Sequence, residues 1–315
     1  MKNSVKGYIM GAIASATYGM NPLFTLPLYA DGMNADSVLF FRYLSTVPIL
    51  AFMLKIRGRD FKITKKQLLP LIFFGLLFAY SSLALFESYN YMDAGIASTL
   101  LFIYPIIVAL IMTFIYREKI AISTIVCMVM ALSGIALLYK GEGGSTLSLI
   151  GTILTFSSAL TYAIYIVGMN KSSIASMATI KLTMYVLLFG STLFGARLLY
   201  AGHVDLPSQW YLWGNILGMA VLPTAVSLIC TTLAVQYVGS TTTAILGALE
   251  PVTAIFIGMT LFGEDLTLRE FCGVLLIIVA VTLVVAGGNI TGLLVRIRKM
   301  FPKIPRISKI RIHSK

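Results

Sequence analysis

The chain has 315 residues, of which 58% are hydrophobic and 11% are charged. Soluble globular domains contain about 25% charged and about 45–50% apolar residues, so this composition leaves no room for a sizeable soluble domain and indicates a polytopic membrane protein. The formal net charge of +12 does not indicate a nucleic-acid partner, because eight of the 24 Lys and Arg residues lie in the last twenty residues.

Ten apolar segments of about 20 residues follow one another along the chain, and each is long enough to cross about 30 Å of hydrocarbon as a helix. They cover residues 7–28, 35–54, 68–90, 95–116, 120–139, 149–169, 177–200, 212–235, 240–262 and 269–289. Lys2 and Lys6 precede the first segment, which has no convincing cleavage site and is expected to remain in the protein as its first helix. The loop before the eighth segment contains Trp210, Tyr211 and Trp213, which are residue types that favour the level of the lipid headgroups.

Basic residues in the short loops predict the orientation of the chain. The loops after the second, fourth and sixth segments contain most of the Lys and Arg residues found between segments. This places those loops and both termini in the cytoplasm, with most of the acidic residues outside, so the predicted location is the cytoplasmic (inner) membrane. Residues 291–315 form a basic tail, which is expected either to bind anionic lipid headgroups or to act as a disordered topology anchor.

An internal repeat divides the chain into two halves. The segment from Ser240 to Glu264 resembles the segment from Ala94 to Glu118 at an offset of 146 residues, and each has a proline followed thirteen residues later by the final glutamate. The repeat predicts two five-helix halves, residues 1–143 and 144–290. Because five is odd, the second half enters the membrane in the opposite sense. Inverted repeats of this kind supply two packings that open a midplane site first to one side and then to the other.

At several of these positions the chain resembles the drug/metabolite transporter superfamily, specifically its EamA-type members with two five-helix repeats. The residues that carry the resemblance are Tyr18-Gly19, Phe41-Arg42-Tyr43, Pro105 followed by Glu118, and Glu250-Pro251-Val252 followed by Gly263-Glu264. The resemblance covers residues 7–289, with Tyr18 and Tyr162 where the family often has a Trp. It implies an all-α integral membrane protein with ten transmembrane helices as two inverted repeats. It also implies a carrier of small solutes, often an exporter, with a central cavity lined by helices from both repeats.

Glu250 is the strongest candidate for a functional residue. It lies near the middle of the ninth segment, where an acidic side chain costs at least about 2.5–3.5 kcal/mol on insertion scales. Such a residue is predicted to exchange a proton or to bind a substrate cation. The alternative is a protonated or water-bridged glutamate that satisfies backbone groups freed by Pro251. Tyr104 stands at the equivalent position of the first half, so the two halves differ here.

Arg42 and Glu87 are two further charges at similar predicted depths, about seven and four residues from the outer ends of their helices. They are predicted to form a buried pair that breaks during the change of access, because unpaired charges at that depth are costly. Alternatively, each faces an aqueous cavity, or Glu87 reaches the outer headgroups. The candidate coupling or gating residues are Glu250, Arg42, Glu87, Pro105 and Pro251.

Several tyrosines lie near the predicted midplane, too deep for a headgroup belt. An aromatic cavity suits a substrate with an apolar surface and a polar handle, although packing between helices is an equal alternative for any single tyrosine. Asn21 precedes Pro22 in the first segment and adds a break in its hydrogen bonding. The candidate substrate-binding residues are Glu250, Tyr104, Tyr18, Asn21, Tyr80, Tyr162 and Tyr165.

No motif in the sequence indicates an enzyme, a cofactor or a metal: a phosphate-binding loop, a zinc-protease motif and a serine-hydrolase motif are all missing. We therefore predict a secondary active transporter of amino acids, amines or related solutes, an exporter by resemblance, that works by alternating access. The alternative is a passive channel or a structural membrane protein. The expected partners are a small-molecule substrate and the lipid bilayer, with proton coupling left open, no nucleic acid, and a monomer or homodimer.

Overall fold

The computed structural model describes residues 2–91, 97, 100–118, 120, 122–138, 148–261, 268–269 and 271–283. Regular structure within these residues is helical, and none of them lies in a strand. The basic tail and Glu264 lie outside the described residues, so the predictions for them stay predictions.

The helices are numbered in chain order. The first half contributes α1 Lys2–Tyr18, α2 Asn21–Ala30, α3 Ala35–Ile56, α4 Lys65–Ser88, α5 Tyr104–Phe114 and α6 Ile122–Leu138. The second half contributes α7 Leu149–Lys171, α8 Thr179–Ala201, α9 Leu212–Met219, a π-helical segment Ala220–Val226, α10 Ser227–Val238, α11 Ser240–Leu246, α12 Leu249–Leu261 and α13 Phe271–Leu283.

Five of these helical units are long and apolar enough to cross a membrane: α3, α4, α7, α8 and the continuous unit from α9 to α10. Shorter apolar helices, α5, α6 and α13, accompany them. The chain is therefore an all-helical, multi-pass membrane protein over the part that the structure describes, whereas the count of ten spans and the inverted repeat stay predictions.

Three helices begin at, or one residue before, a residue-proline pair. The sequence predicts one continuous first span, but the structure divides it at a turn over Gly19 and Met20, and α2 begins at Asn21. Proline in the first turn of a helix has no hydrogen bond to lose, which favours a new helix start there. α5 likewise begins at Tyr104, directly before Pro105, and α12 begins at Leu249.

A fourth irregularity lies at Pro223, inside the π-helical segment. Proline has no N–H and cannot bond the carbonyl four residues earlier. The Thr224 hydroxyl replaces that donor, because its Oγ1 lies 2.7 Å from the carbonyl oxygen of Met219. The Thr46 hydroxyl of α3 donates to the next carbonyl, that of Ala220, over 3.2 Å. The irregular backbone is therefore satisfied by neighbouring hydroxyls, as an apolar environment requires.

Close helix packing positions these breaks near one another. α1 packs on α10, α7 on α4, and α8 on both α3 and α4, while α5 contacts α7 and α11. α4 and α7 are joined by reciprocal bonds: the Ser81 hydroxyl donates to the Ser158 carbonyl over 3.0 Å, and the Ser158 hydroxyl donates to the Ser81 carbonyl over 2.7 Å. α6 approaches α13 so closely that a side chain at Gly134 would collide with the Gly273 carbonyl.

α8 is attached by ion pairs at both of its ends to the unit that α3 and α4 form. At its first turn, Lys181 donates to Asp60 and to the Lys62 carbonyl in the α3–α4 loop. The hydrogen bond from Lys181 lowers the pKa of Asp60 from its ordinary value. At its last turns, Arg197 contacts Asp36 of α3 at 2.8 Å and Glu87 of α4 at 3.3 Å.

Candidate functional site

An internal cavity lies where α1, α5, α7, α10, α11 and α12 meet, and we call it the central cavity. Its volume is about 20 Å³, which is room for about one water molecule. Glu250 and three tyrosines line it, together with serine and threonine side chains and the glycines of α1 and of the α11–α12 turn. The tyrosines are Tyr18, Tyr104 and Tyr162.

Hydroxyl groups donate hydrogen bonds to the last carbonyl groups of α11 at this cavity. The last carbonyls of a helix have no partner within the helix, and in an apolar environment they need one. The Tyr104 hydroxyl donates to the Ala244 carbonyl over 3.0 Å, and the Ser15 hydroxyl donates to the Leu246 carbonyl over 3.0 Å. Gly247, in the turn that follows, has no room for a side chain because the Tyr104 hydroxyl lies against it.

Glu250 lies in the first turn of α12, half-buried, with its side chain at the cavity. An acid in the first turn of a helix interacts favourably with the positive end of the helix dipole. The break between α1 and α2 packs directly on this turn, since a side chain at Gly19 would collide with the Glu250 carbonyl oxygen. The two helix breaks are therefore in contact beside the central cavity.

Arg42 is 1% exposed and lies beside these helix breaks. Its Nε donates to the Thr224 hydroxyl over 2.6 Å, and one Nη donates to the Pro223 carbonyl over 3.4 Å. The guanidinium carbon is 5.8 Å from the centre of the Tyr18 ring. The other terminal nitrogen, Nη1, is buried and has no hydrogen-bond partner. A buried charged donor without a partner is costly, so this nitrogen needs an explanation.

The predicted pair of Arg42 and Glu87 is not formed, and this prediction was wrong. Glu87 contacts Arg197 instead, while Arg42 points to the π-helical segment. The predicted depth of a side chain does not show in which direction around the helix axis that side chain points. α3 packs mainly on α8, whereas α4 packs on both α7 and α8 and contacts α3 little, so Glu87 is turned toward Arg197 of α8 rather than toward Arg42. A gating role for either residue stays a prediction.

The tyrosines separate into two groups. Tyr104 and Tyr162 contact each other edge to face at the cavity, with ring centres 4.9 Å apart. Tyr165 is 1% exposed and packs against Phe78 behind them, so it supports the wall rather than lining it. Tyr80 is 42% exposed on another face of α4, where its hydroxyl lies 3.4 Å from that of Ser157, and it does not line the cavity.

Asn21 lies at the first position of α2, near the Tyr18 hydroxyl. Its Oδ1 is buried and has no partner. Pro105 is buried in the first turn of α5, and Pro251 follows Glu250 in the first turn of α12. All three positions therefore coincide with helix starts around the central cavity, as expected of residues that interrupt a membrane helix.

Sequence reasoning missed the hydroxyl side chains. Ser15, Ser227, Thr231 and Thr243 line the cavity, and Thr224 holds Arg42. A usable signal was present, because Ser227 and Thr231 lie one helical turn apart in an apolar helix and share one face. Among the described residues, no group of His, Cys, Asp and Glu side chains could hold a metal ion.

Known proteins are similar to this chain in sequence or in structure. An uncharacterized transporter of Archaeoglobus fulgidus is 29% identical over 263 residues, which are 82% of this chain and 90% of that protein. The threonine/homoserine exporter RhtA of Escherichia coli (strain K12) is 29% identical over 228 residues, 71% of this chain and 72% of the exporter. A crystal structure of another protein superimposes with a TM-score of 0.75, over 93% of this chain and 98% of that one. At 15% identity that likeness shows the fold alone.

The match that decides the family is at the level of the sequence profile. The profile of the EamA-like transporter family matches residues 5–140 and matches again over residues 149–286. The two matches together cover most of the chain, and each contains helices that line the central cavity. The chain therefore belongs to the EamA-like transporter family.

Proposed function

We propose that the protein is a secondary active transporter that exports small metabolites, amino acids or amines, across the cytoplasmic membrane by alternating access around the central cavity. The observation that carries the proposal is the cavity itself. It lies between helices of both family matches, and a membrane-embedded acid, Glu250, lines it. Such an acid is costly, and in membrane proteins it commonly marks a substrate or proton pathway.

The helix contacts support the inverted repeat of residues 1–143 and 144–290. α1 packs on α10 as α7 packs on α4, and α12 lies on α1 as α5 lies on α7. α3 packs on α8, and α6 packs on α13, so these contacts join equivalent helices of the two halves. An exchange of equivalent contacts is what alternating access between inverted repeats needs. We retain the cytoplasmic position of both termini as part of this proposal.

The present packing favours two groups of helices that move relative to each other. The central cavity holds about one water molecule, so its walls have to separate before a metabolite enters. The two ends of α8 fix it to α3 and α4, and the serine pair joins α7 to α4. These four helices, α3, α4, α7 and α8, form the first group, and the π-helical segment belongs to the second. Arg42 reaches from α3 to the π-helical segment. In this scheme Arg42 is the coupling contact, whereas Glu87 only strengthens one group.

Double-mutant cycles on stability in detergent test that division. Arg197 with Asp36 is expected to show a coupling energy near 1 kcal/mol, because two nitrogens contact two oxygens at 2.8 and 3.1 Å. Arg197 with Glu87 has one contact at 3.3 Å and is expected to show about 0.5 kcal/mol or less. Arg42 with Glu87 is expected to show none. A clear coupling in that last cycle would contradict the division.

The relatives support the substrate class and the direction of transport. The exporters of E. coli and Salmonella typhimurium are named for threonine and homoserine, and they align with 71% of this chain at 28–29% identity. Both substrates are small solutes with an ammonium group. That group is one that Glu250 can bind when the acid is ionised, and the same acid can release it by taking up a proton.

Counterflow in proteoliposomes tests the function. Vesicles loaded with one unlabelled amino acid or amine are expected to accumulate the labelled form transiently, which a carrier does and an open channel does not. Glu250→Gln is expected to lower the rate at least tenfold and to flatten its pH dependence. Tyr80→Phe is the matched control, because Tyr80 lies outside the cavity, and it is expected to keep the wild-type rate. A lack of saturable flux for every amino acid and amine tried would refute the proposal.

A further inference from the structure

One nitrogen of a buried arginine is unused in this structure. Arg42 is 1% exposed, and two of its three nitrogens are bound by the Thr224 hydroxyl and the Pro223 carbonyl. The third, Nη1, is buried without a partner. Guanidinium groups match carboxylates in geometry and charge, and a carboxylate is the partner that compensates a buried guanidinium best.

The start of α2 lies next to this arginine and adds to the same preference. Free backbone N–H groups and the helix dipole make a helix start attractive to negative charge. α2 has ten residues, and the residue that precedes its break, Tyr18, has its ring under the Arg42 guanidinium. The helix start and the unpaired nitrogen therefore favour an anionic group close to Tyr18 and Arg42.

Acceptor groups lie near the same tyrosine. The Tyr18 hydroxyl is near Asn21 and Glu250 as well as Arg42, and the Asn21 Oδ1 is buried without a partner. Arg42 and Glu250 are close enough to attract each other, but they do not form an ion pair within 4.0 Å. A cationic donor and an anionic acceptor therefore lie near the same tyrosine without forming an ion pair with each other.

We infer that the central cavity, when open, binds the zwitterionic head of an α-amino acid, with its carboxylate on Arg42 Nη1 and its ammonium on Glu250 and Asn21 Oδ1. This inference rests on the proposed transport function and narrows its substrate class. An amine alone leaves Arg42 unpaired, and a carboxylic acid alone leaves Glu250 unpaired. Only a group with both charges satisfies both side chains, and it adds no net charge to the membrane interior.

Selectivity for the head group follows from the cost of unpaired groups. A site built around a polar group of its substrate rejects analogues that lack it, because the protein partners are left buried and unpaired. We expect the loss of either charge from the ligand to weaken binding at least tenfold. Changes in the side chain of the ligand are expected to matter less, since the contacts described above involve only the head group.

Ligand competition on the wild-type protein is the primary test, because it depends on no variant. L-alanine, L-threonine and L-phenylalanine are each compared with the corresponding amide and the corresponding deaminated acid, by counterflow competition and by thermal stabilisation in detergent. At least one amino acid is expected to compete at least tenfold better than both of its analogues. An amide that competes as well as its parent amino acid would overturn the inference and leave the transport function intact. Flux for none of the solutes would refute the proposed function, and the inference with it.

Variants then assign the carboxylate to Arg42. Arg42→Gln is expected to lose the preference of the wild type for an amino acid over its amide, while Arg42→Lys is expected to retain part of it. Arg59→Gln, an exposed arginine in the α3–α4 loop, is the control and is expected to keep the full preference. Unliganded melting temperatures show whether each variant is folded. An Arg42→Gln protein that folds and still discriminates tenfold against the amide would overturn the assignment.

Discussion

Replacing Thr224 by valine removes a single hydroxyl that makes two buried contacts. The hydroxyl accepts a hydrogen bond from Arg42 Nε over 2.6 Å and donates one to the Met219 carbonyl over 2.7 Å. Valine has nearly the same size and the same branching at Cβ, so the substitution opens no cavity. The effect on the free energy of unfolding therefore reports the two hydrogen bonds.

The bond to Arg42 is expected to dominate that effect. Hydrogen bonds between neutral groups in membrane helices average only about 0.6 kcal/mol, because the unfolded chain in the membrane also finds partners. A bond to a charged group contributes about 1.5–3 kcal/mol, and a buried charged donor left without a partner is costly. Arg42 already has one unpaired nitrogen, so the substitution leaves a second one. We expect Thr224→Val to lower the free energy of unfolding by about 2–3.5 kcal/mol.

Equilibrium unfolding in mixed micelles measures this difference, and Thr113→Val is the matched control. The Thr113 hydroxyl bonds only the Ala109 carbonyl of its own helix, at 2.9 Å, so its loss is expected to cost about 0.6 kcal/mol or less. In an Arg42→Met background, Thr224→Val is expected to cost no more than this control. Equal losses for the two threonines in the native background would refute the reasoning, because the contact with Arg42 would then contribute nothing.

Two further predictions concern contacts outside the cavity. The pKa of Asp60 is lowered by Lys181, so the pair stabilises the folded state at neutral pH, and this contribution disappears as the pH falls through the lowered pKa. The melting temperature of the wild type is thus expected to exceed that of Asp60→Asn at pH 7 and to approach it below pH 4, and an unchanged difference would contradict the pair. Gly134→Ala is expected to cost about 1–3 kcal/mol, because its Cβ would collide with the Gly273 carbonyl. Gly214→Ala, with open space around it, is expected to cost nothing, and equal effects would disprove the close approach.

Counting residues along an apolar segment predicts the depth of a side chain in the membrane, because it gives the rise along a helix. Arg42, Glu87 and Glu250 were recognised in this way. Direction around the helix axis could not be predicted, because the spans are apolar on all sides and no polar face shows which side is turned inward. For this reason the sequence predicts an ion pair between Arg42 and Glu87, whereas in the structure Arg42 bonds Thr224 of the π-helical segment.

The tyrosines illustrate the same limit. Tyr80 and Tyr162 have similar predicted depths and identical chemistry, yet one is exposed on α4 and the other lines the cavity. The helix breaks lie near prolines, but proline alone does not predict them, since Pro48 and Pro70 lie inside uninterrupted helices. The hydroxyls that satisfy those breaks were not predicted, since serine and threonine also occur in membrane helices where they bond only the preceding turn of their own helix.

Polar and aromatic side chains meet at the central cavity. Glu250 lines the cavity, with Arg42 and Asn21 close to Tyr18 beside it, and Tyr104 and Tyr162 contact each other edge to face on α5 and α7. In the predicted repeat Glu250 stands at the position of Tyr104, so the two halves differ there by an acid in place of a tyrosine. In the proposed binding mode the charged groups hold the polar head of a ligand, and the tyrosines contact its side chain. A carrier with that binding mode is expected to accept several side chains while it remains selective for one head group.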